Sequence, residues 1–216
     1  MALHRYWRIR AVTVASSFLE ISELQLFDGA TRVDGPATKS SSIAPDSGGG
    51  LGNMSDGNLA TNLYWTQAHA QDTSFWIAWD FGGATEVNAI KQGGYDTSGR
   101  HIGAFTVQAS DDASIWFDVA SFSALSYPGN NTLSSAYAWV SYEISGTVFD
   151  ASGSPAARNV YAYLRSTGTL IGATSSAGDG SYTISVGSNA EAFVVALPGS
   201  GETTVNAQVL DRVVPL

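Results

Sequence analysis

The sequence predicts an all-β protein made of two antiparallel sandwiches in series, and three observations lead there. Charged residues make up only 13% of the 216, glycine occurs 23 times and Trp, Tyr and Phe supply 11%, a profile that suits short aromatic-rich strands joined by tight turns. Period-2 runs bounded by Gly, Asn, Asp and Ser recur along the chain, and no stretch reads as a long amphipathic helix. The texture changes near Tyr142, which divides the chain into a larger sandwich over 1–142 and a smaller one over 143–216.

In the first part the alternating runs are Tyr6–Val14, Ile21–Phe27, Phe75–Phe81, Phe105–Ser110, Trp116–Ser121 and Tyr137–Glu143. Thr38–Ser55, with its Ser-Ser-Ser and Gly-Gly-Gly runs, reads as an exposed loop within one domain because strands flank it on both sides. In the second part Ile144–Asp150 is a strand, Ala151–Pro155 a turn and Asn159–Arg165 a strand with Val160, Ala162 and Leu164 on one face. Thr169–Thr174 follows, then a tight turn at Ala177–Gly180, the strand Ser181–Val186, a buried-looking run Glu191–Leu197 and a closing strand Val205–Val213. Six or seven short strands in so short a segment suggest a small immunoglobulin- or transthyretin-like sandwich.

Composition removes several functions. The net charge is −9, and no Lys/Arg cluster offsets it locally, so nucleic acid is repelled. Cysteine is absent, which excludes disulfides, thiolate metal sites and Cys nucleophiles. No apolar run is long enough for a membrane helix, and no signal-peptide core precedes the first strand. His4, His69 and His101 lack metalloprotease spacing, and neither a Gly-x-Ser-x-Gly elbow nor a phosphate loop with Lys occurs. The chain reads as a non-enzyme. Asn130-Asn-Thr132 fits a glycosylation sequon by its letters alone and is set aside.

Three blocks carry a resemblance. Ser55-Asp-Gly-Asn-Leu-Ala-Thr-Asn-Leu-Tyr-Trp65, then Phe75-Trp-Ile-Ala-Trp-Asp-Phe-Gly82, then Phe105-Thr-Val-Gln-Ala-Ser-Asp-Asp112 with Trp116 resemble, in motif and order, the discoidin or F5/8 type C family. That resemblance implies a jelly-roll sandwich with a galactose-binding-like fold. Tyr6-Trp-Arg-Ile-Arg10 and Leu19–Phe27 look like the family's final strands moved to the front, which implies a circular permutation. Permutation is physically reasonable because the termini of such a sandwich lie close together, and a permuted form of this kind resembles modules of bacteriophage virion proteins. Residues 143–216 resemble the carboxypeptidase-regulatory-like (transthyretin-like) sandwiches through Ile144-Ser-Gly-Thr-Val148, Gly153-Ser-Pro155 and Gly178-Asp-Gly-Ser-Tyr-Thr-Ile184.

The discoidin resemblance implies a structural Ca²⁺ on the Asp-Gly-Asn loop, held by Asp56, Asn58, Thr61 and a glutamate of the displaced strands, Glu23. Oxygen donors of this kind suit a hard cation, and a glycine lets the loop fold so that they converge. The same letters also describe a bare turn held by Asx hydrogen bonds. Trp65, Trp79 and Trp116 fall within strand-like motifs and are assigned to packing. The candidate ligand contacts are Tyr64, His69, Tyr95, Arg100 and His101, which stand beside Gly, Asn and Asp punctuation where a sandwich displays its binding loops. An aromatic ring covers a sugar's C–H face while His and Arg bond its hydroxyls.

The expected function is therefore that of a non-enzymatic virion structural protein of a phage tail, fibre or baseplate, with a carbohydrate- or host-surface-binding module. Repetition on a particle supplies avidity for weak sugar sites, so other virion subunits and a homo-oligomer, a trimer by analogy with fibres, are the expected partners. Two rivals stand beside it: a purely architectural or decoration subunit with no ligand, and an accessory carbohydrate-binding module of an enzyme complex.

Overall fold

The computed structural model describes residues 3–140, 142–199 and 207–216. About half of the chain is strand and only 4% is helix. The chain divides into two compact units, Leu3–Trp139 and Val140 onward.

The first unit contains β1 (Leu3–Thr13), β2 (Phe18–Ile21), β3 (Leu24–Asp28), β4 (Thr31–Arg32), β5 (Thr38–Ser41), β6 (Ser47–Gly48), a 3₁₀ turn (Leu51–Ser55), β7 (Leu63–Thr66), the one-turn helix α1 (Gln67–Ala70), β8 (Trp76–Glu86), β9 (Ala89–Gly94), β10 (Ala104–Ser110), β11 (Phe117–Phe122), β12 (Thr132–Leu133) and β13 (Tyr137–Ala138). One sheet runs β11-β10-β1-β8-β5, so the first strand of the chain lies in its middle, antiparallel to both neighbours. A second sheet is built on β9 and β3, with β12, β13 and β4 attached, and β2-β7-β6 form a third, smaller one.

Register explains the core. Trp7 lies opposite Trp79 and Ala109, and Ile9 opposite Ile77 and Val107, so the inward face of the large sheet is a continuous layer of side chains at most 1% exposed. Leu24, Leu26 and Ile90 supply an equally buried layer on the other sheet. The alternate residues of β1, namely Tyr6, Arg8 and Arg10, stay partly exposed on the outer face. A bulge between Arg10 and Thr13, with Ala11 at φ +51°, resets the alternation so that Val12 returns to the core.

Three expectations are corrected here. Thr38–Ser55 is not a free loop: it supplies β5, β6 and the 3₁₀ turn, because its backbone pairs with β8 and β7 even though its side chains have little to bury. Ile21–Phe27 is not one strand but the last residue of β2 and most of β3, which join different sheets. Trp116 is not a core residue: it is only partly buried and lies beneath the Arg8 guanidinium, whose carbon is 3.9 Å from the ring centre. Trp65 and Trp79 are wholly buried, as packing requires.

The second unit contains β14 (Tyr142–Thr147), β15 (Asn159–Leu164), β16 (Leu170–Ser175), β17 (Ser181–Val186), β18 (Ala192–Ala196) and β19 (Gln208–Val213). The expected closing strand begins outside the described residues at Val205 and Asn206, while its remainder forms β19. Two sheets, β14-β17 and β16-β15-β18-β19, enclose Ile144, Val160, Ala162, Ile184, Val186 and Val194. Gly180 ends the turn before β17 at φ +75°, and a Cβ there would stand 2.3 Å from the Val148 carbonyl oxygen; only glycine fits.

Candidate functional site

The small β2-β7-β6 sheet is amphipathic, and this positions the polar cluster of the first unit. Leu19, Ile21, Leu63 and Trp65 point inward and are at most 2% exposed. Pairing sets Glu20 opposite Tyr64 and Phe18 opposite Thr66, so all four side chains share the other face. Phe18 and Tyr64 meet edge to face at 5.3 Å. Glu20, 7% exposed, accepts hydrogen bonds from the Asn62 amide at 2.5 Å and from Arg100 Nη1 at 3.1 Å. Arg100 also lies over Phe18, its guanidinium carbon 5.4 Å from the ring centre, and 3.8 Å from Asp96. A fixed carboxylate–guanidinium pair thus stands beside two aromatic rings.

The remaining candidates brace the surrounding loops. His69 shares a 2.8 Å contact with Asp46, which also accepts the Thr66 backbone N–H. These bonds, with the Thr66 N–H contributing most, hold the Asp46 carboxyl below the usual range. The Tyr95 carbonyl accepts the Asn131 N–H. His101 Nε2 lies 3.0 Å from the Leu125 carbonyl and its ring packs 5.7 Å from Tyr127. Tyr64 and Arg100 therefore come together directly through Phe18 and Glu20, whereas His69 joins through Asp46, and Tyr95 and His101 through the Leu125–Asn131 loop.

Sequence reasoning missed Phe18, Glu20, Asn62 and Tyr127. Tyr127 packs against Gly94, where a Cβ would meet its ring at 2.7 Å. Burial, then the charges of Asp96 and Glu20, push its hydroxyl pKa up. The Tyr-Pro-Gly-Asn turn at 127–130 was a visible signal for it; Glu20, inside an apolar strand, had none.

The Asp-Gly-Asn loop is a separate polar centre. Gly57, at φ +80°, donates its N–H to Glu23 Oε1 at 2.6 Å. Asp56 accepts the Asn58 N–H at 2.7 Å, and the Thr61 hydroxyl lies 2.8 Å from both Asp56 Oδ2 and the Asn58 carbonyl oxygen. Glu23 is wholly buried, accepts the Gln25 amide at 2.8 Å, lies 3.4 Å from Arg32 Nη2 and is in side-chain contact with Asp56. Arg32 itself forks onto buried Asp34 at 2.8 and 3.0 Å and reaches the Ser55 carbonyl. Burial foremost, and then the neighbouring Asp56, raise the Glu23 pKa above the ordinary glutamate value. Asp56 moves the other way: partial burial pushes it up, but its bonds to Asn58 and Thr61 outweigh that and leave it lowered.

The loop therefore gathers two touching carboxylates, a carbonyl and a hydroxyl, all oxygen donors suited to a hard cation. Among the described residues no set of three His, Cys, Asp or Glu side chains converges on one point, so an ion here would draw the rest of its shell from carbonyl oxygens.

Residues 36–147 match the F5/8 type C domain model. The chain belongs to the F5/8 type C domain family. Domains of this family are generally binding modules without catalytic activity. The matched span contains the Asp-Gly-Asn loop, Tyr64 and Arg100, while β1, β2 and Glu23 precede it in the chain. No curated protein matches. Among solved structures the chain is similar to the major pilin subunit BcpA of Bacillus cereus, at 8% identity and a TM-score of 0.25, covering all of this chain and 55% of the pilin. It is also similar to the major pilin GBS80 of Streptococcus agalactiae in a 35 kDa C-terminal fragment, at 11% identity and 0.24, covering 97% of this chain and 79% of that one. The chain thus spans about half the length of the first pilin, and at these scores neither likeness bears on the site.

Proposed function

We propose that this F5/8 type C protein is a non-enzymatic, surface-binding structural subunit of a bacteriophage tail, fibre or baseplate. Its first unit holds a host-surface glycan on the cluster around Tyr64 and Arg100. The observation that carries the binding role is the juxtaposition of Phe18 and Tyr64 with the Glu20–Arg100 pair. The rings offer apolar area to a sugar's C–H face, and the partly exposed Arg100 guanidinium, held by buried Glu20, offers donors already fixed in place, which lowers the ordering cost of binding. Tyr95, His69 and His101 shape the loops around it.

The virion setting is supported by chain order. β1 lies in the middle of the large sheet, yet precedes the first matched residue, Thr38 being only two residues beyond that point, as a circular permutation of the kind known from phage modules requires. Homo-oligomerisation is supported by β19, an edge strand among the described residues, where Val209 and Leu210 are 60% and 54% exposed; a trimer is proposed by analogy with fibres alone. Glu23, Asp56, Asn58 and Thr61 would hold a structural Ca²⁺, which would neutralise the touching carboxylates and stiffen the loop between the 3₁₀ turn and β7.

The test is a glycan array probed with the purified protein, with and without a calcium chelator. Binding that Tyr64→Ala and Arg100→Gln each weaken by about tenfold is the expected result. Absence of binding to any glycan or host envelope overturns the lectin role and leaves the architectural one, for which Val209 and Leu210 on the β19 edge are the favouring observation.

A further inference from the structure

The outer face of the large sheet carries a second polar concavity, and none of its residues belongs to the Tyr64–Arg100 cluster. Arg8, Arg10, Thr73, Ser74, Phe75 and Trp76 line a cavity of about 140 Å³. Arg8 and Arg10 project from the same side of β1, and Trp76 lies opposite Arg10 on β8. The bulge immediately after Arg10 turns the strand at this point. Bulges are a common means of aiming a side chain at a ligand.

The two arginines differ in how they are held. Arg8 is fixed on two sides: its Nε donates to Gln108 Oε1 at 2.7 Å and its plane covers Trp116, while Gln108 donates in turn to Asp118 at 2.6 Å. Arg10 makes no side-chain hydrogen bond or ion pair with any described residue. The hydroxyl of Ser74 is turned to Asp72, 2.6 Å away, which leaves that carboxylate satisfied within its own turn. Two guanidiniums therefore share one cavity in a protein of net charge −9, with a single carboxylate, Asp118, bearing on Arg8 through Gln108. Burial first, and then the charge of Arg10, bring the Arg8 pKa down to about 10, with Asp118 acting the other way.

We propose that this cavity binds the oxyanion group, carboxylate or sulfate, of an acidic sugar. The paired planar guanidiniums match the fork geometry of an oxyanion, and the Trp76 indole beside them provides a face for the attached ring. This site stands independently of the Tyr64–Arg100 reading. It adds a charged-glycan specificity on a separate set of residues of the same unit.

Titration of the full chain with sodium sulfate, sodium glucuronate and neutral galactose, followed through the arginine Nε–H resonances, tests it. Saturable shifts of the Arg8 and Arg10 signals are expected with one or both anions and not with galactose or chloride, and sulfate against glucuronate tells which group the cavity prefers. Arg10→Gln should weaken the anion about tenfold or more, and Arg10→Lys less, because it keeps the charge and loses the fork. Arg100→Gln should leave anion binding unchanged while it lowers glycan-array signal, so the two sites fail separately. Thermal melting of Arg10→Gln should match the parent or slightly exceed it, since Arg10 makes no side-chain bond to a described residue and its charge disfavours the Arg8 cation. The proposal is overturned if neither anion saturates beyond chloride, or if Arg10→Gln binds as the parent does.

Discussion

Glu20 and Glu23 stand three residues apart, both buried, and the chain treats them in opposite ways. Glu20 is matched: a guanidinium and an amide meet its two oxygens, so its charge is answered within the protein. Glu23 accepts bonds from Gln25 and Gly57, yet touches a second carboxylate, Asp56, with Arg32 no nearer than 3.4 Å. A buried charge needs a partner. The difference teaches that Glu20 completes a preformed polar surface, whereas Glu23 leaves a negative centre for which a proton or a cation is the natural complement.

The largest effect should come from breaking the matched member. Glu20→Ala leaves the Asn62 amide and the Arg100 guanidinium facing an apolar gap. A wholly buried pair broken in this way costs about 3–5 kcal/mol. Arg100 keeps 32% of its side chain in solvent, so about 2 kcal/mol is expected in chemical denaturation. Glycan binding should fall with it, because Arg100 loses the contact that orients it. A variant as stable as the parent would show that the pair is ornamental.

Glu23→Gln should do the reverse. Removing one of two adjacent like charges is expected to leave the chelator-treated protein unchanged in stability or higher by up to about 1 kcal/mol. The stabilisation by Ca²⁺, about 2.7 kcal/mol for the parent at about 100 times its Kd, should vanish. Scanning calorimetry with and without calcium reads both halves. If Glu20→Ala and Glu23→Gln destabilise alike in chelator, the contrast between the two sites is wrong.

A smaller effect is expected at the rim of the loop. Thr61→Val keeps the shape and removes the hydroxyl that lies between Asp56 and the Asn58 carbonyl. One exposed neutral-to-charged hydrogen bond is at stake, so stability should drop by about 0.5–1 kcal/mol. Calcium affinity should fall several-fold, measured by titration of the metal alone.

This contrast also separates what was legible in the chain from what was not. The Asp-Gly-Asn turn is legible from its own turn chemistry, whereas its distant glutamate is implied only by the family resemblance, and the structure brings Glu23 and Gly57 within 2.6 Å across 34 residues. Strands with clean alternation were readable: Ser181–Val186 is β17 residue for residue. β9 was not, because Lys91, Gln92 and two glycines break its pattern, and it is held instead by pairing with β3 and by side chains such as Ser22 and Tyr127 that close over Gly93 and Gly94. Glu20 escaped for a related reason. Its partner Arg100 is 80 residues away, and nothing local distinguishes a strand glutamate that will be buried in a pair from one that will face water.

The pH dependence of stability offers the finest discrimination between the two glutamates. In calcium-free protein the folded state binds the Glu23 proton more tightly than the unfolded chain does, since its pKa is raised. That contribution to stability is complete below the unfolded glutamate pKa and is lost as the pH climbs through the raised value. Asp56, lowered, works oppositely: its contribution is present above the unfolded aspartate value and is lost as the pH falls through its own. Asp56 is more open to solvent, so the Glu23 contribution should dominate just above the ordinary carboxylate range, and in chelator the melting temperature of the parent relative to Glu23→Gln should decline as the pH rises through that range. Calcium requires both groups ionised and competes with the Glu23 proton, so in its presence that difference should instead climb over the same interval. The two curves should converge at the acid end. Parallel curves would mean that the ion, if bound, sits away from Glu23.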